Sequence, residues 1–586
     1  MRNFFTFLTC LAFSSFALSQ VTPEIQWAKT YGGSDMEIGY EIIQTADGGY
    51  ISIGYTNSDD GDITENKGWA DLWVVKTDAA GTIEWQKTYG GSQSDVGASL
   101  KQTPDGGYII GGSIQSGDGD ISDYNGELGF GEDFWIVKIS STGEIEWENN
   151  YGGNYPDILT DLQLTTDGGY IAIGNTMSKS GDVVGGYGTE GNFFQEGWVV
   201  KIDAQGDIEW QRPYGGYEGF VQFSNIQQTT DGGYIIGGDA GYGFDGDFPE
   251  TNGGSDFWAL KISSVGEIEW SKVYGGSSED YAGKITQTSD GGYIFVGGVY
   301  SNDGDVEGGY GNGNGDAWIL KLNNTGELEW KNTIGGAGGD GARIAYETAD
   351  NHFVIGGGTS SSDGDFTDFP NNGMQNKILM KLNSSDGSII WMKSMGGSAN
   401  DILFDLKTTN DGGFITIGSS SSNDGDVSGN HGSADFWIVK LGPDCLVPEL
   451  TIDTTHTICA GEELTLTANT EAELIHWYDA ADATEPVFTG TEFELPELTE
   501  TTSFWVEAAN YICKTDRIEI IVNVNPLPVL EAETTYAICS ENSASLYASS
   551  PSNVIFWYAN EDDTEYLYHG NLFVTEVLTE NTTYWV

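Results

Sequence analysis

Ile83-Glu84-Trp85-Gln86-Lys87-Thr88-Tyr89-Gly90-Gly91, then Pro104-Asp105-Gly106-Gly107-Tyr108-Ile109-Ile110-Gly111-Gly112, then Phe134-Trp135-Ile136-Val137-Lys138-Ile139 are the stretches that decide the fold. The first alternates, is rich in β-formers and stops at a glycine pair. Ala98 to Thr103 is a second short strand. Pro104-Asp105-Gly106-Gly107 is a turn in which glycine supplies positive φ, and a third and a fourth strand follow. Ser141-Thr142-Gly143 turns into the next copy. The unit therefore holds four strands, with no helical period anywhere.

The unit occurs seven times. Its Asp-Gly-Gly-Tyr element, or a variant of it, starts at Asp47, Asp105, Asp167, Asp231, Asp290, Asp350 and Asp411, in steps of 58 to 64 residues. A period of this size marks a repeat architecture, in which each unit buries its apolar faces only against its neighbours. Four strands repeated seven times predict a seven-bladed β-propeller over residues 20–442. The glycine-rich third strand is expected nearest the crowded axis. Two tryptophan sets recur, Trp27, Trp85, Trp147, Trp210, Trp270, Trp330 and Trp391, and Trp73, Trp135, Trp198, Trp258, Trp318 and Trp437. Both read as packing between blades. Ring closure stays open: the last unit closes by itself, or Ile25-Gln26-Trp27 completes it.

The 586 residues carry 23 Lys and Arg against 89 Asp and Glu, a formal net charge of −66. That argues against nucleic acid or an anionic membrane as partner, since both need basic patches. Arg2 and the short apolar run Phe4 to Leu18, before Ala17-Leu18-Ser19, read as a secretory signal over residues 1–19, with Cys10 removed along with it. No other stretch is long and apolar enough to span a bilayer. The expected location is secreted or at the cell surface, where disulfides are permitted. The remaining cysteines, Cys445, Cys459, Cys513 and Cys539, all follow the repeats.

Between the third and fourth strands, six units carry Asp-Gly-Asp: Asp60 and Asp62, Asp118 and Asp120, Asp245 and Asp247, Asp303 and Asp305, Asp363 and Asp365, and Asp424 and Asp426. The third unit has Ser180-Gly181-Asp182. Paired carboxylates around a glycine suit a hard cation, so these twelve are candidate calcium ligands and calcium a candidate cofactor, although no twelve-residue calcium loop is complete. The same residues suit a turn whose side chains bond the backbone. A second acid follows Tyr-Gly-Gly at Asp35, Asp95, Asp157, Asp280, Asp340 and Asp401, and is expected to satisfy buried backbone donors. The sixth unit is degenerate, with Asp350-Asn351-His352-Phe353 and Asn376-Lys377-Ile378-Leu379. No His-Glu-x-x-His or Gly-x-Ser-x-Gly motif occurs, and no catalytic residue is named.

After Gly442 glycine falls and two copies of a new pattern begin, over 443–525 and 526–586. The first has Thr457-Ile458-Cys459-Ala460-Gly461-Glu462, Trp477-Tyr478, Phe504-Trp505-Val506 and Cys513. The second has Ala537-Ile538-Cys539-Ser540, Trp557-Tyr558 and Tyr584-Trp585-Val586. Short alternating strands around a tryptophan suggest β-sandwiches. The second copy stops about twenty residues short of the first's length and is expected to be incomplete.

Lys201-Ile202-Asp203-Ala204-Gln205-Gly206-Asp207-Ile208-Glu209-Trp210 resembles the tryptophan-docking motif of quinoprotein-type propellers, with no cofactor constellation beside it. The repeat is similar to secreted propellers of Bacteroidota surface proteins. The pattern after Pro448 closely resembles their tandem immunoglobulin-like modules. That second resemblance implies a Cys459–Cys513 disulfide, leaves Cys445 and Cys539 without assigned partners, and implies type IX secretion. The combined expectation is an all-β, non-catalytic binding or adhesion protein. Its propeller would present a ligand face, for a polysaccharide or a surface protein, on an Ig-like stalk. The alternative is a polysaccharide hydrolase or lyase on the same scaffold.

Overall fold

The computed structural model describes residues 22–122, 124, 131–188, 194–217, 219–241, 246–309, 314–369, 374–444, 448–470, 472, 474–510, 513–551 and 554–586. The expected leader, Asp245 and Cys445 lie outside the described residues. Two compact units divide the chain, Met1–Leu446 and Val447–Val586.

In the first unit, 28 strands form seven four-stranded antiparallel sheets. β1 (Ile25–Tyr31) stands apart. Blade 1 is β2 (Glu37–Gln44), β3 (Tyr50–Thr56), β4 (Asp71–Thr77) and β5 (Ile83–Tyr89), hydrogen-bonded in that order. Blades 2 to 6 repeat it. Blade 7 supplies only Asp401–Thr408, Phe414–Ser420 and Asp435–Leu441, and β1 is its fourth strand. Tyr31 pairs with Phe436 and Thr30 with Trp437. The first strand therefore closes the ring.

A blade is thus offset by one strand from the sequence unit. The Ile-Glu-Trp strand is not the first of its own blade but the outermost of the preceding one. Nor is the glycine-rich strand innermost. The axis is lined by the strands equivalent to β2, each beside its counterpart in the next blade, and the glycine-rich strand lies one step out. Gly111 faces the adjoining blade, where a Cβ would stand 2.9 Å from Leu159 Cδ2, and Gly112 the inner strand of its own, 2.2 Å from the Val96 carbonyl oxygen.

Cores lie between blades. Phe134 and Ile136 of blade 2 pack with Leu159 and Trp198 of blade 3, the Phe134 and Trp198 rings 4.8 Å apart. The second tryptophan set is fully buried here, and truncating any one of them removes roughly 3–5 kcal/mol. The first set does a different job. Six of its seven rings, all but Trp391, lie on the turn glycine of the next blade: a Cβ on Gly266 would meet Trp210 Cζ3 at 3.0 Å, and Gly266 has φ +80. Beside it the Tyr214 hydroxyl donates to the Gly266 carbonyl at 2.7 Å. Tyr31, Tyr89, Tyr151 and Tyr274 make the same bond to Gly81, Gly143, Gly206 and Gly326.

The repeated lysine of the fourth sequence strand is buried and structural. Lys76 pairs with Asp47 at 3.0 Å and Glu84 at 2.7 Å, and Lys138, Lys201, Lys261 and Lys321 repeat this.

In the second unit, one sheet joins Thr455–Cys459, Ile518–Asn525, Thr502–Asn510, Leu474–Tyr478 and Phe488–Thr489 in that order. It encloses Trp477, whose Nε1 donates to the Gly490 carbonyl at 2.8 Å, with Leu466, Phe493 and Val506. Trp557 makes the equivalent bond to Gly570 in the second copy. The Cys459–Cys513 disulfide is not formed. Cys459 is an exposed free thiol, while Cys513 is buried and disulfide-bonded. The register explains it. Cys459 lies level with Asn525, beyond the Thr502 end of the central strand, and Cys513 lies opposite Asn510 at its other end. At about 3.3 Å per residue, the two ends of that strand are roughly 25 Å apart, against a limit of about 7 Å for Cα atoms joined by a disulfide.

Blade 6 holds one buried amine without a carboxylate partner. Lys377 stands where blades 2, 4 and 7 have Phe134, Phe257 and Phe436. It is fully buried, with Nζ 2.8 Å from the Trp437 carbonyl and 4.3 Å from its ring centroid. Burial pushes its pKa down to about 7. The unfolded lysine titrates near 10.4, so between about pH 7 and 10 the unfolded chain holds the extra proton and stability rises with pH. Replacing Lys377 by Met is expected to raise stability at pH 7 by a few kcal/mol and to abolish this contribution. Thermal melts of both proteins between pH 6 and 10 check it.

Candidate functional site

The Asp-Gly-Asp loops come first, because the sequence singles them out. In blade 2, Asp118 Oδ1 accepts the Ser92 N–H at 2.7 Å, and Asp120 Oδ2 accepts the Gly90 N–H at 3.1 Å. Gly119 between them has φ +71, and a Cβ there would lie 2.3 Å from the Gly90 carbonyl oxygen. The loop thus clasps the Tyr-Gly-Gly connection that enters the blade.

The other loops repeat this clasp. Asp60, Asp303, Asp363 and Asp424 accept the N–H of Ser34, Ser277, Ala337 and Ser398. Asp62, Asp247, Asp305, Asp365 and Asp426 accept the N–H of Gly32, Gly215, Gly275, Gly335 and Gly396. Ser180 stands in for the first aspartate of blade 3.

Of the two readings of these loops, the hydrogen bonds are those of the backbone-bonded turn. Asp60, Asp62, Asp118, Asp120, Asp247, Asp303, Asp305, Asp363, Asp365, Asp424 and Asp426 each spend a carboxylate oxygen on a backbone N–H. Asp120 also pairs with Lys67 at 2.5 Å. Among the described residues, no group of three or more His, Cys, Asp or Glu is arranged to hold a metal ion. The physical reason is the turn. An aspartate on either side of a left-handed glycine reaches the amides of the facing connection, so the loop is closed by hydrogen bonds of its own.

The acid after Tyr-Gly-Gly bonds the second glycine. Asp95, Asp157, Asp280, Asp340 and Asp401 accept the N–H of Gly91, Gly153, Gly276, Gly336 and Gly397. In the first unit Glu37, not Asp35, takes this place, accepting from Gly33 at 2.8 Å. Burial pushes Asp157 up to about 7.

The place where the repeats differ is the axis. Every inner strand breaks register at its middle: at Tyr40, Ala98, Thr160, Ser224, Arg343 and Phe404, and over Gly283–Lys284 in blade 5. A β-bulge leaves one residue unpaired and turns it out of the ladder. Here these residues line a cavity of about 830 Å³. Blades 5, 6, 7 and 1 contribute bulk and charge, with Lys284, Arg343, Phe404 and Tyr40. Blades 2, 3 and 4 contribute Ala98, Thr160 and Ser224. Tyr40 meets Phe404 edge-on at 5.0 Å, and the Arg343 guanidinium lies 4.8 Å from the Phe404 ring centroid. Tyr281 and Tyr300 form a second edge-on pair at 6.0 Å. Amides of Gln115, Gln222 and Gln375 and hydroxyls of Ser94, Ser113 and Ser360 complete the wall.

Beneath lies an ionic layer. After four of the bulges the next residue stitches blades together: Asp405 accepts the Ile42 N–H, Glu41 that of Leu100, Asp161 that of Ile226 and Asn225 that of Ile285. Lysines compensate these acids. Lys101 pairs with Glu41 at 2.8 Å, Lys407 with Asp405 at 2.8 Å and Glu41 at 3.3 Å, and Lys284 with Asp405 at 3.6 Å. The Tyr346 hydroxyl is 2.9 Å from Lys407 Nζ. Burial alone would raise Glu41, but Lys101, Lys407 and Lys284 outweigh it and hold the carboxyl well below its usual range. Burial likewise opposes the charge on Lys407, and Asp405, Tyr346 and Glu41 restore it, keeping its pKa well above the ordinary lysine value. The Arg343 side chain makes no ion pair and no hydrogen bond among the described residues; its guanidinium rests on the Phe404 ring.

The sequence reading missed this constellation. Its only trace is variation: one strand position that reads Tyr, Ala, Thr, Ser, Gly, Arg and Phe in successive units of an otherwise regular repeat.

Residues 447–526 and 527–586 each match the family described as Ig-like domain, CHU_C associated. None of the curated proteins matches the chain. Among solved structures, a puromycin hydrolase mutant is similar at 12% identity and TM-score 0.38, over 66% of this chain. The chain spans 51% of that protein's length. The extracellular domain of a one-component system of B. thetaiotaomicron is similar at 9% identity and TM-score 0.20, over 83% of this chain and 81% of that one. A Synechocystis apocarotenoid oxygenase is similar at 12% identity and TM-score 0.33, over 71% and 95%. The class defined by fold and family match is a seven-bladed β-propeller followed by Ig-like domains. Among the described residues no helix is long and apolar enough to cross a membrane.

Because the loop carboxylates accept backbone donors, Asp118→Ala is expected to cost roughly 0.5–1.5 kcal/mol by removing the acceptor of the exposed Ser92 N–H. The loss should be equal in calcium and in chelator. Chemical denaturation in both buffers checks it, and a larger loss in calcium would assign these oxygens a cation.

Proposed function

We propose that this chain is an extracellular or cell-surface binding protein whose propeller receives a polysaccharide or a surface protein in the axial pocket. In this reading the Ig-like modules are the spacer that holds it at the envelope, and the signal-like leader and type IX route bring it there. The observation that carries the reading is the pocket itself. Sevenfold repetition governs the turns, the tryptophans and the buried lysines, and it fails at the bulged residues around the axis. A scaffold role alone needs no such asymmetry. Concave sites walled by aromatic rings and a few placed polar groups are where ligands bind.

The test uses the mature chain on a panel of insoluble polysaccharides and reads both retention and newly released reducing ends. Retention without release is expected. Ser224→Trp, which fills the pocket from its small-residue side, should abolish retention while leaving the melting temperature within a few degrees. Release of new ends would instead make the chain a hydrolase or lyase. Retention unchanged by the tryptophan would move the site off the axis.

A further inference from the structure

Cations are scarce here, 23 among 586 residues, and most in the ring have a repeated structural task. Lys76 and its equivalents each hold two carboxylates at the outer edge of a blade. Four others converge on the axis from blades 2, 5, 6 and 7: Lys101, Lys284, Arg343 and Lys407. The ionic layer beneath the pocket contains three acids, Glu41, Asp161 and Asp405. Lys101 and Lys407 lie within 3.3 Å of these acids, and Lys284 reaches Asp405 only at 3.6 Å while also lining the cavity. Arg343 is surplus. It lines the pocket over the Phe404 ring, with its fork of donors uncommitted. The other acids of the wall are occupied: Asp340 accepts the Gly336 N–H and the Thr359 and Ser361 hydroxyls, and Glu132 accepts from Gln115.

We infer that the axial pocket binds an acidic saccharide, with Arg343 receiving its carboxylate. This rests on the binding reading above and names the ligand class. A guanidinium fork matches a carboxylate in two parallel hydrogen bonds. The rest of the wall fits a sugar better than a peptide. It offers ring faces and edges at Tyr40, Phe404 and Tyr281, and hydroxyl and amide groups on the other sides. A pyranose presents the complement, an apolar C–H face bordered by hydroxyls, and 830 Å³ admits two or three such rings. An anion approaching a protein of charge −66 is repelled at long range. That repulsion is screened within about 8–10 Å at physiological salt, whereas contacts inside the pocket are screened much less. A carboxylate-binding site on this chain therefore needs its own dedicated cations, and the axis is where they are gathered.

Titration calorimetry on the full mature chain tests this. The probes are trimers of galacturonate, guluronate and glucuronate, each beside the same trimer with its carboxyls reduced to alcohols. At least one acidic trimer is expected to bind, with affinity lost tenfold or more on reduction. Arg343→Gln should weaken the acidic trimer by roughly tenfold or more and leave any neutral binding alone. Arg343→Lys, which keeps the charge but not the fork, should fall between. Circular dichroism melts confirm that both variants fold. Equal binding of acidic and reduced trimers, or indifference to Arg343→Gln, would overturn the acidic-ligand inference and leave the binding reading standing. If no acidic trimer binds, the inference fails, and if no polysaccharide is retained either, both readings fail.

Discussion

A blade of this propeller has two apolar faces and nothing within itself to cover them. Only another blade can, so a row of blades is stable only when it has no ends. Everything else in the ring serves that constraint. Buried tryptophans fill the interface between sheets, outer tryptophans rest on the turn of the next blade, and inner-strand carboxylates catch the backbone donors that the bulges set free. The pairing of β1 with Asp435–Leu441 removes the last edge. Every inter-blade contact depends on that one antiparallel pair staying formed.

The bulges show how structure and function share a position. An unbroken inner strand would keep its hydrogen bonds and point alternate side chains at the axis and into the sheet. Breaking register once per strand gives up one ladder bond per blade, which a neighbouring side chain replaces. In exchange a residue at each bulge is released from packing. Such residues are constrained by neither core nor ladder and are the least bound by the repeat.

That freedom also explains what was legible in the sequence. The strands, the turns and both tryptophan sets follow from local patterning, because glycine turns and alternating strands are set by residues close in the chain. Blade boundaries are not set that way. The unit beginning at Ile83 looks self-contained, yet its first strand pairs with Asp71–Thr77 of the preceding blade, since the shorter turn at Gly81 joins those two. The axial site was illegible for a related reason. Arg343 and Phe404 come from different blades, and Tyr40 arrives from the far end of the chain. A regular signal such as Asp-Gly-Asp attracts attention, but the repeated copies describe a shared structural need: Asp62, Asp305, Asp365 and Asp426 all hold the same glycine amide. The Cys459–Cys513 disulfide that the resemblance implies does not form because the two residues lie level with opposite ends of one strand, a register that no local pattern reveals.

The closing pair joins residues roughly four hundred positions apart. Contacts of that span form late, because the entropy of closing so long a loop must be met before any of them helps. Blade 7 lacks its outer strand until β1 pairs with it. During synthesis the chain therefore exists as an open arc with two apolar ends, and it becomes a ring only after residue 441 has arrived. The order of its strands makes completion of the fold a checkpoint on completeness of the ring.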